Sequence, residues 1–309
     1  MIKSDDISVV VQGPIIIGTT SQCLASIRKN LPNAEIILST WVGSDVSNLD
    51  YDILVLNNDP GFVMQGLNGW TNICNINRML KSTREGIKKC SRKYILKIRT
   101  DFFIKKARFT KYFNKFSFAD SKYKVFNHKV IAYPIFSLRY EHKHGKSMPE
   151  LFHVSDTTFF GLATDIRELL MCKMVSEPSF SRYFENHKKD LSKDIYPDRS
   201  WQMAPEQYII STLVKKHFPT IKFRHYLDYS DYLFKFSHDF IMANFMFLDA
   251  DRWGIYILQK NLLSNYRHLP KETKKTMYNY KNFRKYYINV IKSSNHSLLY
   301  KLLHICWLW

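Results

Sequence analysis

Residues 93–104 constrain the fold most. Tyr94, Ile95, Leu96, Ile98, Phe102, Phe103 and Ile104 put apolar side chains on both faces of any extended segment, and Arg99 and Asp101 stand near its end. Apolar residues on both faces suit a central parallel strand covered by helices above and below. In open α/β sheets ligands bind outside the carboxyl ends of such strands. An aspartate there can hold a divalent cation, since hard cations take oxygen ligands; taken alone, it can equally cap the next turn.

The flanking sequence extends this α/β reading. Residues 7–14 form a β-rich run stopped by Gly13-Pro14, and residues 20–31 carry Leu24, Ile27 and Leu31 at helical spacing. Residues 35–41 and 51–58 read as two further strands, the second ending in Asp59-Pro60-Gly61. This opening predicts an open sheet with a Rossmann-like, nucleotide-binding first half. Residues 72–89 read as a helix on which Asn75, Arg78 and Ser82 share a face. If that face points to the strand ends, Arg78 meets a phosphate and Asn75 or Asn77 a ribose or base edge; the alternative is a solvated face.

Farther along, residues 105–146 are rich in Lys, Arg and His with interspersed aromatics and read as a loop able to track a phosphorylated substrate, or as solvated surface. Asp156 precedes a core strand within residues 151–161. Glu206 falls in the first turn of a helix running toward His217, where it is a helix-dipole partner, a general base or a grip on sugar hydroxyls. His238-Asp239 is a weaker candidate for metal ligation.

Charge bears on partners. A formal +19 draws the chain to polyanions without choosing among them. Residues 256–309 hold ten Lys or Arg against one acid, Glu272, for +9 in 54 residues. Within them, residues 295–309 set Leu298, Leu299, Leu302 and Leu303 on one helical face beside basic residues and two terminal tryptophans. That pattern suits a helix lying in an anionic membrane interface, the alternative being a helix packed on the domain. The expected division is therefore 1–255 as the main domain and 256–309 as a basic, amphipathic helical C-terminal segment. Five scattered cysteines without a CxxC pair indicate a reducing compartment, and an acidic start leading straight into a strand argues against a secretory signal. The expected location is cytoplasmic, peripheral to an inner membrane.

The motifs in sequence order, Val9 to Pro14, Leu38 to Trp41, Asn57 to Gly61, Asn75 to Gly86, Leu96 to Asp101, His153 to Gly161 and Pro205 to Tyr208, resemble the WavE family of bacterial lipopolysaccharide and capsule synthesis. The resemblance implies a GT-A-like open mixed sheet flanked by helices, and a glycosyltransferase that moves a sugar from a nucleotide-sugar donor to a glycan or glycolipid acceptor. On that reading Gln12, Gly13 and Pro14 border the nucleotide, Asn77 and Arg78 face base or diphosphate, and Asp101 takes the place of the last acid of a DxD motif. Arg99 stands where the first acid would be. The motif thus admits either manganese or magnesium on Asp101, or Arg99 neutralising the diphosphate directly by a bidentate contact. Asp156 is assigned to the sugar pocket and Glu206 to acceptor or base work. The competing class is a non-catalytic polyanion-binding protein, against which stand the absence of a zinc-finger, RNP or helix-turn-helix signature and hence no specific nucleic-acid partner.

Overall fold

The computed structural model describes residues 2–192, 194–258, 267–294 and 297. A seven-stranded mixed sheet organises it. Its first half comprises β1 (Ile7–Gln12), β2 (Glu35–Trp41) and β3 (Ile53–Asn57), with helix α1 (Thr19–Asn30) between the first two strands. A small hairpin, β4 (Val63–Gln65) and β5 (Asn72–Cys74), leads into helix α2 (Ile76–Lys88) and then into β6 (Tyr94–Arg99). Every residue of β1 is buried, because β2 flanks it on one edge, β6 on the other, and helices cover its faces. β6, β1, β2 and β3 are mutually parallel, which brings Gln12, Ser39, Asn57 and Arg99 to one edge of the sheet.

The close approach of α2 depends on Gly86. A Cβ there would lie 2.5 Å from Val10 Cγ1 and 3.2 Å from Ser39 Cβ, so a larger residue would lift the helix off β1 and β2.

Residues 93–104 make two strands instead of one. After β6 the amide of Thr100 donates to Gln12 O (3.2 Å), and its hydroxyl donates to Pro14 O (2.8 Å). The chain turns there, and β7 (Phe102–Ile104) joins a separate antiparallel ribbon with a late strand, Ile255–Ile257. Asp101 consequently sits in a turn under the sheet edge. The expected helix over 72–89 also starts later, at Ile76, since Asn72, Ile73 and Cys74 pair with Gln65, Met64 and Val63.

The stretch 105–146 holds α3 (Phe109–Tyr112), β8 (Val130–Ala132) and β9 (Tyr140–Lys143), the last paired with β10 (Lys146–Pro149). It is thus more than a loop: β8 is fully buried in the main sheet. β11 (Phe159–Leu162) runs antiparallel between β6 and β8, and β12 (Phe245–Phe247) runs parallel on the far side of β8. Helices α4 (Ala163–Leu170), α5 (Pro205–His217), α6 (Asp231–Asn244) and α7 (Ala250–Trp253) complete this half. The fold is α/β and GT-A-like, a mixed sheet flanked by helices.

Past residue 255 the chain runs along the domain. Ile255–Ile257 completes the ribbon with β7, and the helix Tyr280–Ser293 buries Phe283, Tyr287 and Ile291 in the core. Residues 295–309, expected to form an interfacial helix, lie outside the described residues apart from Ser297. Among the described residues no helix is long and apolar enough to cross a membrane.

Candidate active site

A cleft of about 480 Å³ opens at the carboxyl edge of β1, β2 and β6. It is bordered by Gln12, Gly13 and Pro14 from the end of β1, by Arg99 at the end of β6 and Asp101 just beyond it, by Asn75 and Arg78 from the start of α2, and by Asp156. A larger hollow of about 820 Å³ lies between α4 and α5. It gathers basic side chains but none of these strand-end residues, so the smaller cleft is the better candidate.

Beneath the cleft runs a line of hydrogen bonds between strand ends. Asn57 Nδ2 donates to Ser39 Oγ (3.0 Å), Ser39 Oγ donates to Ser82 O (2.7 Å), and Ser82 Oγ donates to Gln12 Oε1 (2.7 Å). These groups are almost fully buried and their polar atoms are paired, which fixes the Gln12 amide at the floor. Gly13 then turns with φ +124°, a region that favours glycine, and its amide donates to Ser39 O (3.1 Å). A Cβ at Gly13 would stand 3.3 Å from Thr100 Oγ1, so backbone is what the cleft presents there.

Arg99 and Asp101 form the central pair. Arg99 Nε donates to Asp101 Oδ1 (2.9 Å) and Nη2 to Oδ2 (2.6 Å), with the carboxylate nearly inaccessible and the guanidinium one-third exposed. Arg99 is held charged despite burial, chiefly by this carboxylate. At the rim, Arg78 is fixed by a second bidentate pair, Nε to Asp59 Oδ1 (2.7 Å) and Nη2 to Oδ2 (2.5 Å), with Nη1 donating to Asn75 Oδ1 (3.2 Å). Its guanidinium lies 5.1 Å from the Phe62 ring centroid.

Lys97 lies below Arg99 on β6 and is fully buried. Its ammonium donates to the carbonyls of Asp156 and, at 3.3 Å, Thr157, which ties the Asp156 turn to the central strand. Burial lowers its pKa to about 8, against the opposing pull of nearby carboxylates, Asp156 first. Glu206 follows Pro205 in the first turn of α5. Desolvation, and then the negative charge of Asp156, raise its carboxyl well above the usual carboxylate range. Helix N-terminal placement opposes that shift without cancelling it.

The expected site residues thus divide. Gln12, Gly13, Pro14, Arg78, Arg99, Asp101 and Asp156 come together around the cleft, and Glu206 lies within the electrostatic reach of Asp156. Asn77 does not join them: its Nδ2 donates to Val175 O (3.0 Å) and its Oδ1 accepts from Val175 N (2.8 Å), because a helix turns successive side chains about 100° apart. Asn75 reaches the cleft in its place. His238 and Asp239 also point elsewhere, toward Tyr278 (3.0 Å) and Lys235 (2.5 Å). Lys97 escapes a motif search, though a lysine inside an apolar strand is a signal for it; Ser39 and Asn57 carry no comparable mark.

For a divalent cation the donor set fits poorly. The Asp101 oxygens already accept two charge-assisted bonds from Arg99, and among the described residues no three His, Cys, Asp or Glu side chains form a metal-like group. Two guanidinium groups flanking a cleft with an exposed backbone turn match phosphate oxygens instead.

No curated protein matches the chain. The sequence model of one family, described as WavE lipopolysaccharide synthesis, matches residues 7–306.

Proposed function

The chain belongs to the WavE lipopolysaccharide synthesis family, and from that premise we propose that it is a glycosyltransferase using a nucleotide-sugar donor and a glycan or glycolipid acceptor. The observation that carries the reading is the meeting of the Gln12-Gly13-Pro14 turn with the Arg99–Asp101 pair and Arg78 in one cleft at the sheet's carboxyl edge.

In this reading the nucleotide lies along the ends of β1 and β2, and the diphosphate lies between Arg99 and Arg78. As the bond from the anomeric carbon to the diphosphate oxygen breaks, its electron pair leaves with the diphosphate. The two guanidinium groups stabilise the charge that develops there, and they are held in place before the reaction begins. A new bond forms between the acceptor hydroxyl oxygen and the anomeric carbon. In an inverting transfer the hydroxyl proton passes to Glu206, whose raised pKa makes it a better base than an ordinary carboxylate. Asp156 accepts hydrogen bonds from donor-sugar hydroxyls. Asp101 keeps Arg99 oriented, and no divalent cation takes part.

We further propose that the protein works at the cytoplasmic face of the inner membrane, attached through its basic C-terminal segment. Removing residues 295–309 should abolish salt-sensitive binding to anionic liposomes and leave transfer to a soluble acceptor intact.

The direct test is a thermal-shift screen of the purified protein with UDP-, GDP-, CMP- and CDP-linked sugars, each with and without manganese. A ligand that binds only the native state raises its stability by mass action, so one nucleotide series should shift the transition without metal. No shift with any of them in a folded sample would remove the nucleotide-sugar reading.

A further inference from the structure

A third, half-open cavity, of about 220 Å³, is bordered by the β4–β5 hairpin, the segment 195–201 and the end and following turn of β9. Its walls are tied together: Gly66 N donates to Ser200 Oγ (2.8 Å), Leu67 N to Asp198 O (2.8 Å) and Asn68 Nδ2 to Asp198 Oδ1 (3.3 Å). Three features of its lining have no role in the site described above.

The first is aromatic. Trp70, 40 % exposed, and the partly buried Trp201 and Tyr196 line the cavity. Indole faces pack against the C–H face of a pyranose ring while leaving its hydroxyls for polar partners. The second is cationic. The Arg199 guanidinium lies 3.3 Å from the Tyr196 ring centroid and 5.0 Å from that of Trp201, and Lys143 Nζ lies 4.4 Å from the Tyr196 centroid. Among the described residues neither cation forms an ion pair with a carboxylate. The third is an unpaired acceptor. Gln65 is 2 % exposed, borders the cavity, and its Oε1 has no hydrogen-bond partner. A buried acceptor in that state carries a desolvation penalty that an approaching donor relieves.

The cavity neighbours the cleft. The strand that follows Trp70 runs directly into Asn75 at the cleft wall, and Arg199 acts electrostatically on Glu206. We infer that this cavity is an acceptor subsite for an anionic sugar, with Trp70 and Trp201 on the ring, Arg199 and Lys143 on its phosphate or carboxylate, and Gln65 Oε1 accepting a hydroxyl. The inference rests on the glycosyltransferase reading and specifies its acceptor. Arg199 and Lys143 both lie against the Tyr196 ring in the cavity wall, so a charged substituent placed there meets two cations that a neutral ring would not use.

The test uses the full-length protein and four probes: glucose 6-phosphate, glucuronate, glucose and inorganic phosphate, each titrated by calorimetry. Nucleotide-sugar binding is measured on the same preparations. At least one anionic sugar should bind about tenfold more tightly than glucose and than inorganic phosphate, as expected for one charge-assisted contact added to ring stacking. A preference for glucose 6-phosphate alone identifies a phosphate ligand, and one for glucuronate alone a carboxylate. Lys143→Gln and Trp70→Ala alter exposed side chains, and each should lower that affinity about tenfold with donor binding unchanged. Equal binding of glucose and both anionic sugars, inorganic phosphate binding as tightly as any sugar, or a preference that survives both substitutions would overturn the subsite. Loss of the subsite with donor binding intact would leave the transferase reading standing; sugar binding without any nucleotide binding would remove that reading instead.

Discussion

Arg99 spends the Nε–Nη2 edge of its guanidinium on the carboxylate two residues along, Asp101, at 2.9 and 2.6 Å. A position that carries an acid in the related motif therefore carries the acid's counter-ion, and the pair holds that guanidinium in a fixed orientation beside the cleft. Replacing Arg99 by Lys keeps the charge but loses the bidentate contact, and it should reduce kcat/KM by about 10–100-fold, roughly 1.4–2.8 kcal/mol of transition-state stabilisation. Chelation with EDTA should leave the parent enzyme's rate within about twofold. Steady-state kinetics of transfer decide both; a chelator-abolished rate restored by manganese would return Asp101 to the role of metal ligand.

Glu206 yields a prediction with two readouts. If it takes the acceptor proton, Glu206→Gln should lower kcat by at least about 100-fold and remove the rise of kcat with pH, whereas Asp156→Asn should raise the donor KM more than it lowers kcat. Its raised native pKa also has a sign for stability. Between the unfolded value of 4.5 and the higher native value, the native state binds the extra proton, so stability falls as pH rises through that window. The amide removes the loss, so Glu206→Gln should be the more stable protein at alkaline pH. Unchanged turnover in the amide variant would exclude the residue from the chemistry.

Lys97 makes the opposite contribution. Its native pKa is about 8 against 10.5 in the unfolded chain, so below about 8 the full cost of a buried ammonium is present, and it is relieved as pH climbs to 10.5. The stability of the parent relative to Lys97→Met should therefore rise across pH 8–10.5, by roughly 3 kcal/mol in total. Denaturant melts of both proteins at three pH values give the comparison, and a flat difference would contradict the assignment.

Gly86 is a packing requirement. Gly86→Ala places a methyl 2.5 Å from Val10 Cγ1, and it should destabilise the fold by about 1–3 kcal/mol through displacement of α2. Because α2 carries Arg78 and Asn75 into the cleft, donor affinity should fall as well. Equilibrium unfolding and calorimetric titration would show the two effects together; an unaltered melting transition would mean that the helix yields without cost.

Some of this is legible in the sequence. The apolar runs of β1, β2 and β6 marked the sheet, because a strand covered on both faces must be apolar on both faces. The turn Gly13-Pro14 and the charged end of β6 marked its ligand-binding edge. Local pattern could not decide between competing long-range pairings. Residues 93–104 read as one strand, yet Thr100 bonds Gln12 and Pro14 and splits the run in two. Asn72 to Cys74 read as helix until pairing with Val63 to Gln65 claimed them.

Covalent order therefore determined which residue types were available and the periods at which they recur, and with them the α/β class and the neighbourhood of the cleft. The tertiary structure decided which of those residues meet. It turned Asn77 toward Val175 and Asn75 toward the cleft, drew the buried Lys97 onto the Asp156 turn, and set Gln65, Trp70 and Arg199 around one cavity although 134 residues separate the first from the last. The physical reason is that hydrophobic periodicity is a local quantity, whereas the pairing of a buried polar group depends on whichever distant partner the packed chain brings within hydrogen-bond reach.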